Sequence, residues 1–390
     1  MVTSLLLGPL PMQDFCELCG RDGLTLAYAP EHSRRGVSVY VCCYCGLVQS
    51  LPRIDHEPRT ESQDNVRFGK SCRTEIALAA LKRHIRTDQF RLIDVGSNRS
   101  DFLDVFAGVF PGADVVAVEP DGRVAASAAG KAELHVARIE TLKFDADVFD
   151  VVHSCHTLEH LARPLRVLRD HARILKAGGL LILDVPNIAL TGAEDIIEEW
   201  FSDKHLTHFS ARTLIRMVEA AGFEIIELPD PTDRENLFLV AKKTGVAHPV
   251  APDPDEVDRA VELMSSYAAT RWHNSEALPA MVDELNTMAA RGLAVWGAGP
   301  IFNTVVRQGG FDPAALVALI DPYLATHIGE RHGKALTGPD TLANAKPGVV
   351  VVMTRREGDA IAAAVKVKAP DAELIAFSDL LGRARLKRAA

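Results

Sequence analysis

The chain has 390 residues, of which 47% are hydrophobic and 24% charged, and its formal net charge is −9. This balance is typical of a globular protein and excludes a wholly disordered or collagen-like chain. An acidic chain does not favour broad nucleic-acid binding, and no apolar run approaches the ~20 residues of a membrane span. We therefore expect a cytoplasmic protein of two or three domains that binds neither nucleic acid nor a membrane.

Two Cys-x2-Cys pairs lie near the start of the chain, Cys16 with Cys19 and Cys42 with Cys45, and a glycine follows each pair. Four reduced thiolates suit tetrahedral Zn²⁺, and a site closed by four sulfurs is structural rather than catalytic. The pairs predict a small zinc-binding domain over residues 11–60. Two unrelated buried pairs and a nucleic-acid zinc finger are the alternatives. The remaining cysteines are expected to be bystanders or small core residues: Cys43, Cys72 and Cys155.

The middle of the chain alternates between β-strand and helix patterns. Apolar residues recur at helical spacing from about Thr74 to Arg86. Further elements are predicted at Phe90–Val95, Val115–Val118, Phe149–Ser154, Pro164–Leu175 and Leu180–Val185, with a turn at Lys176–Gly179. Strands that alternate with helices predict a doubly wound α/β domain.

Polar residues stand where two of these strands end. Asp94 and Gly96 lie at the first end, and Glu119 lies at the second, in the place of an acid that binds ribose hydroxyls. The loop after Gly96 lacks the further glycines that a dinucleotide pyrophosphate requires. A ligand that has a ribose but no phosphate fits better, and S-adenosylmethionine is such a ligand.

A histidine-rich segment precedes the next predicted helix. His205 and His208 lie just before Ser210, a predicted N-cap, and the helix is expected to end at Gly222. A neutral imidazole is the usual base near pH 7. We expect His205 to be a base or a substrate contact. His208 is a second catalytic candidate, with a role in buttressing the helix as the favoured alternative.

The end of the chain repeats the strand–turn–helix pattern. Helical residues are predicted over 255–291, and Gly297 and Gly299 then open a helix, with Asp321 ending the following strand. This pattern permits a nicotinamide dinucleotide, although Phe302 occupies the third glycine position. A domain whose glycines only make the turn is the alternative.

Taken together, the segment from Phe90 to Lys243 resembles class I S-adenosylmethionine-dependent methyltransferases, on its strand ends, its Ser154–His160 segment and its Asp184–Asn187 stretch. With the cysteine pairs and the Gly297–Gly299 turn, the whole chain resembles the three-domain sugar C-methyltransferases, which methylate keto-sugars carried on a nucleoside diphosphate. The resemblance implies a zinc domain, an α/β methyltransferase core over 70–245, a helical connector over 255–291 and a Rossmann-like domain over 292–390.

The same resemblance implies the site residues. S-adenosylmethionine would lie against the following residues: Asp94, Gly96, Ser97, Asn98, Glu119, Pro120, Ile139, Glu140, Ser154, Cys155 and His156. The substrate, a small metabolite and in this family a nucleotide sugar, would contact Gly297, Gly299 and Asn303. Glu159 and His160 are either catalytic residues or the hydrogen-bonded start of a helix. Carbon methylation would proceed through an enolate, with His205 as the base.

The chain departs from the family pattern at several positions. Ser202, Asp203 and Lys204 stand where the family has Tyr-His-Glu before the retained His205, and Ile301 replaces a lysine. A stretch rich in tyrosine in the family has none here, at Asp64–Lys70. Two alternatives therefore remain open: an O-methyltransferase acting on another small metabolite, and a catalytically silent scaffold or binding protein.

Overall fold

A computed structural model describes residues 15–31, 33, 35–53, 70–201, 204–355 and 358–389. The expectations for Asp64–Gly69, Ser202, Asp203 and both ends of the first predicted domain lie outside these residues, as does the side chain of Cys72. Contacts divide the chain into two compact units. The first comprises the described residues of Met1–Arg59, Ser71–Thr191 and Phe201–Ser265; the second comprises those of Thr60–Lys70, Gly192–Trp200 and Ser266–Ala390.

The cysteine-rich segment folds as a small antiparallel sheet. Its strands are β1 (Leu24–Tyr28), β2 (Ser38–Cys42) and β3 (Val48–Leu51). A short strand from much later in the chain, numbered β9 in chain order (Thr207–His208), completes the order β1-β2-β3-β9. Residues about 160 positions apart in sequence therefore share one sheet, with Val48 opposite His208.

The central sheet of the first unit has the order β10-β11-β8-β7-β4-β5-β6. Neighbouring strands from β8 to β6 run parallel, whereas β10 and β11 are antiparallel additions. The sequence predicts this parallel α/β arrangement, and the structure confirms it. The strands are β4 (Arg91–Val95), β5 (Asp114–Val118), β6 (Glu133–His135), β7 (Phe149–Cys155), β8 (Leu175–Pro186), β10 (Phe223–Glu227) and β11 (Asn236–Lys243).

One predicted turn is part of a strand in the structure. Residues Lys176–Gly179 belong to β8, which already begins at Leu175. The partner of Phe149 on β7 is Leu175, but the partner of Val151 is Leu180, so a bulge in β8 accommodates the extra residues. Gly178 has a φ of +73°, which a glycine adopts without steric cost.

Helices cover the central sheet. The predicted limits of the helix after the histidine-rich segment are confirmed: the Ser210 hydroxyl accepts a hydrogen bond from the amide of Thr213 at 3.1 Å, and Gly222 has a φ of +97°. The helices of this unit are α1 (Lys70–His84), α2 (Asp101–Val109), α3 (Gly122–Ala125), α4 (Pro164–Ile174) and α5 (Ala211–Ala220).

The helical region predicted at 255–291 consists of two helices, α6 (Pro254–Ser275) and α7 (Leu278–Ala289), and the boundary between the units falls inside α6. Pro279 lies in the first turn of α7, where its missing N–H costs no hydrogen bond. The predicted helical region is therefore divided into two helices, and Pro279 marks the start of the second one.

The second unit contains a mostly parallel sheet of order β14-β15-β13-β12-β16-β17. This confirms the second Rossmann-like fold. Its strands are β12 (Leu293–Trp296), β13 (Leu316–Ile320), β14 (Glu330–Arg331), β15 (Lys334–Thr337), β16 (Val349–Val352) and β17 (Glu373–Ala376). Its remaining helices are α8 (Pro300–Arg307), α9 (Pro322–His327), α10 (Thr341–Ala345), α11 (Gly358–Lys368) and α12 (Phe377–Ala389). Among the described helices, none combines the length and the apolar content that crossing a membrane requires.

Candidate functional site

The two cysteine pairs converge on one point. The Sγ atoms of Cys16 and Cys45 are 3.5 Å apart, those of Cys19 and Cys42 are 3.6 Å apart, and all four lie within 4.8 Å of one another. Tetrahedral bonds of about 2.3 Å to a zinc ion would separate the sulfurs by about 3.8 Å. The cluster is therefore compatible with a metal site that has no position left for water, whereas Cys43 is exposed.

The thiols of this cluster influence one another. Hydrogen bonds from Cys16 and the other thiols lower the pKa of Cys42, and the hydrogen bond with Cys16 is the largest cause that lowers the pKa of Cys19, to about 7. A thiolate is the form that binds metal. Hydrogen bonds with neighbouring thiols, with Cys19 and Cys16 respectively as the largest cause, instead raise the pKa of Cys16 and of Cys45. The case for a metal therefore rests on the geometry of the four sulfurs.

The predicted donor loop follows β4 directly. The amides of Gly96 and Ser97 both donate to the carbonyl oxygen of Val118, at 2.8 and 3.1 Å, which holds the loop against the end of β5. Gly96 has a φ of +80°, and a Cβ atom there would overlap the hydroxyl of Thr157. Only glycine therefore fits this position without displacing Thr157.

Glu119 fixes the far side of the same loop. Its carboxylate accepts hydrogen bonds from the amides of Asn98 at 2.9 Å and Asp121 at 3.1 Å. Each carboxylate oxygen can accept a further hydrogen bond, so a ribose could also bind there. Pro120 follows Glu119 at the same edge of the sheet.

The hydroxyl of Ser97 indicates that the donor loop suits a polar ligand. Ser97 is 4% exposed, and among the described residues its Oγ atom has no hydrogen-bond partner. A buried hydroxyl is normally satisfied, and the amino or carboxylate group of S-adenosylmethionine would satisfy it. The residues of the loop therefore fit this donor.

Asp94 is buried below the loop rather than open to it. Its carboxylate lies 2.7 Å from Nδ1 of His153 on the adjacent strand, and the His153 ring stacks on Phe102 at 4.0 Å. Asp94 thus holds the end of β4 in place. Sequence reasoning missed His153, because nothing in its spacing marks it as the partner of Asp94.

The other predicted donor contacts surround the same edge of the sheet. Ser154 and Cys155 end β7, the strand beside β4, and the amide of His156 donates to the carbonyl of Asp184 at 2.8 Å. Ile139 and Glu140 form a short 3-10 turn after β6.

A buried ion pair next to Cys155 was missed. Arg73 of α1 pairs with Asp184 at the end of β8 and, at 3.1 Å, with Asp233. Burial raises the pKa of Asp184 to about 6, although the Arg73 guanidinium opposes this shift. Arg73 carries no local sequence signal, since its partners lie more than a hundred residues away.

The loop after β7 brings Glu159 and His160 to His205. One ligand atom from each lies within 4.8 Å of the others, and the rings of His160 and His205 are 4.9 Å apart between centroids. Nδ1 of His160 bonds the carbonyl of Lys204 at 2.8 Å, and the amide of Leu206 donates to the carbonyl of Glu159 at 2.7 Å. The structure thus brings together three residues that sequence analysis considered separately.

His208 lies outside this cluster. Its Nε2 is 2.9 Å from the hydroxyl of Ser50, and the residue is 4% exposed. Burial lowers the pKa of His208 well below its usual range, and the positive charges of His205 and Arg53 act in the same direction. A neutral, enclosed imidazole in β9 supports the buttressing alternative for this residue.

The Gly297–Gly299 turn of the second unit is closed by its own chain. Both carboxylate oxygens of Asp321 accept backbone hydrogen bonds, from Ala298 at 3.0 Å and from Leu324 at 2.9 Å. The Asn303 amide oxygen lies 2.9 Å from Nε2 of His332. Asp321 therefore shapes the turn and caps α9 through one backbone bond to each oxygen, the same pattern that Glu119 has in the donor loop.

Comparisons with known proteins concern the central part of the chain. Residues 52–228 match the family model of a methyltransferase domain. No curated protein sequence matches significantly. The chain is similar to an S-adenosylmethionine-dependent methyltransferase from Mesorhizobium loti (17% identity, covering 47% of this chain and 100% of that one, TM-score 0.36). It is likewise similar to the YcgJ protein from Bacillus subtilis (14%, 43% and 98%, TM-score 0.35).

The matched segment, which covers less than half of the chain, and the parallel α/β sheet support a methyltransferase domain of the class I fold that uses S-adenosylmethionine as its donor. The match ends at residue 228, before β11 and before the sheet of the second unit. The cysteine cluster and a second Rossmann-like sheet accompany this catalytic domain in the same chain.

Proposed function

We propose that the chain methylates a carbon atom of a sugar-type, nucleotide-linked metabolite, with His205 as the base. The observation that carries this proposal is the convergence of Glu159, His160 and His205 at the end of β7, beside the predicted donor contacts. The likeness to sugar C-methyltransferases, described from the sequence, supplies the substrate class.

When bound, S-adenosylmethionine supplies a methyl group that its positive sulfur makes electrophilic. The residues of the chain hold the reactants and move one proton. The loop from Gly96 to Asn98 and the carboxylate of Glu119 would hold the donor. His205 would take the proton from the carbon beside the acceptor carbonyl.

Glu159 would stabilise the imidazolium that this proton transfer creates. Its carboxylate is 1% exposed, and it lies within 4.8 Å of a ring nitrogen of His205 and 3.6 Å from Nε2 of His160. A buried negative charge close to an imidazole favours the protonated ring. Glu159 would therefore favour the protonated form of His205 until the product leaves.

We also propose that the four-cysteine cluster holds a structural Zn²⁺. The proposal keeps the domain boundaries that the sequence analysis gave. It also keeps the predicted substrate contacts, which are Gly297, Gly299 and Asn303.

Hydrogen exchange separates carbon methylation from oxygen methylation. We expect a keto-sugar carried on a nucleoside diphosphate to exchange its α-proton in D₂O without the donor, measured by proton NMR. His205→Ala should abolish the exchange, whereas His248→Ala, which removes an exposed imidazole after β11, should not. Methyl transfer from the radiolabelled donor without any α-proton exchange would overturn the enolate route and favour an O-methyltransferase. Absence of both, with donor binding retained, would favour a silent binding protein.

A further inference from the structure

Arg53 is a buried cation between the cysteine-rich sheet and the candidate catalytic cluster. Its side chain is 10% exposed. Burial lowers the pKa of its guanidinium to about 10, and the carboxylate of Glu17 opposes this shift. The group is thus charged at neutral pH, and an enclosed charge requires specific partners.

These partners lie on two separate segments. Nη1 donates to the carbonyl of Ala162 at 2.9 Å and reaches that of Leu161 at 3.4 Å. Nη2 donates to the carbonyl of Leu206 at 3.1 Å and to the hydroxyl of Thr207 at 3.0 Å. One planar guanidinium therefore joins two stretches that are far apart in sequence.

Each stretch immediately follows a residue of the cluster. Leu161 comes after His160, and Leu206 comes after His205. The backbone bond from Leu206 to Glu159 ties the same two stretches at a second point. The position of the guanidinium thus bears on the distance between the two imidazoles.

We propose that Arg53 is a positioning residue, which sets the spacing of the His160 and His205 rings by binding the backbone that follows each of them. Glu17, between Cys16 and Cys19, lies 3.9 Å from the guanidinium and connects it to the first cysteine pair. The catalytic meaning of this role rests on the proposed function.

A lysine cannot replace this contact. Its ammonium group is a point charge on a flexible stem, whereas the arginine fork directs two nitrogens toward different acceptors. Arg53→Lys keeps the buried charge and most of the packing, so it changes the geometry with little other perturbation.

The test compares Arg53→Lys with Arg216→Lys in the full chain. Arg216 is also mostly buried and also binds the cysteine-rich segment, through the carbonyl of Cys45 at 3.3 Å, but it lies outside the cluster. We expect Arg53→Lys to lower kcat by about 100-fold, the scale of a 1 Å misplacement, with the affinity for S-adenosylhomocysteine unchanged. Arg216→Lys should keep kcat within about twofold of the parent chain.

A second readout does not require turnover. Chains labelled with ¹³C-histidine report the ring signals of His160 and His205, assigned by substitution of each. Arg53→Lys should shift both signals and their pH titration, and Arg216→Lys should leave them in place. Unchanged ring signals in Arg53→Lys, or an equal loss of kcat in both variants, would overturn the positioning role. If every keto-sugar fails as a substrate, the proposed function fails, and the ring signals still decide the role of Arg53.

Discussion

At Gly96 the hydroxyl of Thr157 occupies the place that the Cβ atom of any other residue would take. Its left-handed backbone and this close approach are separate constraints. Gly130 has nearly the same φ, +79°, but nothing lies within 4 Å of the place where its Cβ would be. The two glycines thus distinguish backbone strain from steric overlap.

We expect Gly96→Ala to weaken binding of S-adenosylhomocysteine by more than about tenfold, because the methyl group displaces Thr157 and deforms the donor loop. Both substitutions should lower the unfolding free energy by about 1 kcal/mol because alanine is strained at a positive φ. Gly130→Ala should nevertheless bind S-adenosylhomocysteine as tightly as the parent chain. Isothermal titration calorimetry measures both affinities. Equal weakening in the two variants would refute a specific role for the Gly96–Thr157 contact.

Helix α4 contains a titratable residue on its buried face. His171 is 2% exposed, and its Nδ1 atom has no hydrogen-bond partner among the described residues. Burial lowers the pKa of His171 from 6.5 to about 4, although Asp170 opposes the shift. The folded chain therefore resists protonation at this position, while the unfolded chain accepts the proton.

This difference makes the unfolding free energy depend on pH. Above pH 6.5 the ring is neutral in both states and the folded chain keeps its full stability. As the pH falls from 6.5 toward 4, the unfolded state gains the proton first, so about 2 kcal/mol is lost by pH 5. His171→Leu should remove this part of the loss.

Urea unfolding at pH 7.5 and pH 5 checks the prediction. The decrease in the unfolding free energy should be about 2 kcal/mol smaller in His171→Leu than in the parent chain. The exposed imidazole of His248 offers a control, and His248→Leu should keep the parent's dependence on pH. If the unfolding free energy of His171→Leu depended on pH as strongly as that of the parent chain, His171 would not be the source of the loss at low pH.

At the scale of the molecule, the β1-β2-β3-β9 sheet joins the strands between Leu24 and Leu51 to the segment that carries His205 and His208. The cysteine cluster anchors one side of this sheet, since Cys42 is the last residue of β2. Loss of the proposed metal should therefore destabilise the whole β1-β2-β3-β9 sheet as well as the cysteine pairs.

We expect the parent chain to hold about one equivalent of the proposed zinc and Cys16→Ser to hold none, with a lower thermal unfolding temperature, because a structural metal contributes directly to folding. Cys43→Ser is the matched control: the residue is exposed and outside the cluster, so the metal should remain bound. Mass spectrometry of the metal content, with scanning calorimetry, measures both. Full zinc content in Cys16→Ser would argue against the four-sulfur site.

The sequence by itself determined the features that depend on local spacing. The cysteine pairs, the strand ends with Gly96 and Glu119, and the capped helix after Ser210 follow from residues a few positions apart. Turn geometry and side-chain periodicity act over that range, so a reader of the sequence can find these features.

Only the tertiary structure decided which of these pieces meet. Arg53 contacts backbone 109 and 153 residues away, and His153 binds Asp94 across 59 residues. His160 reaches Lys204 across 44 residues. Such contacts depend on how strands are ordered in a sheet and on which groups are buried together, and neither leaves a periodic trace in the chain. For that reason the sequence identified residues such as Gly96, Glu119 and His205, whereas Arg53, Arg73 and His153 became evident only from the fold.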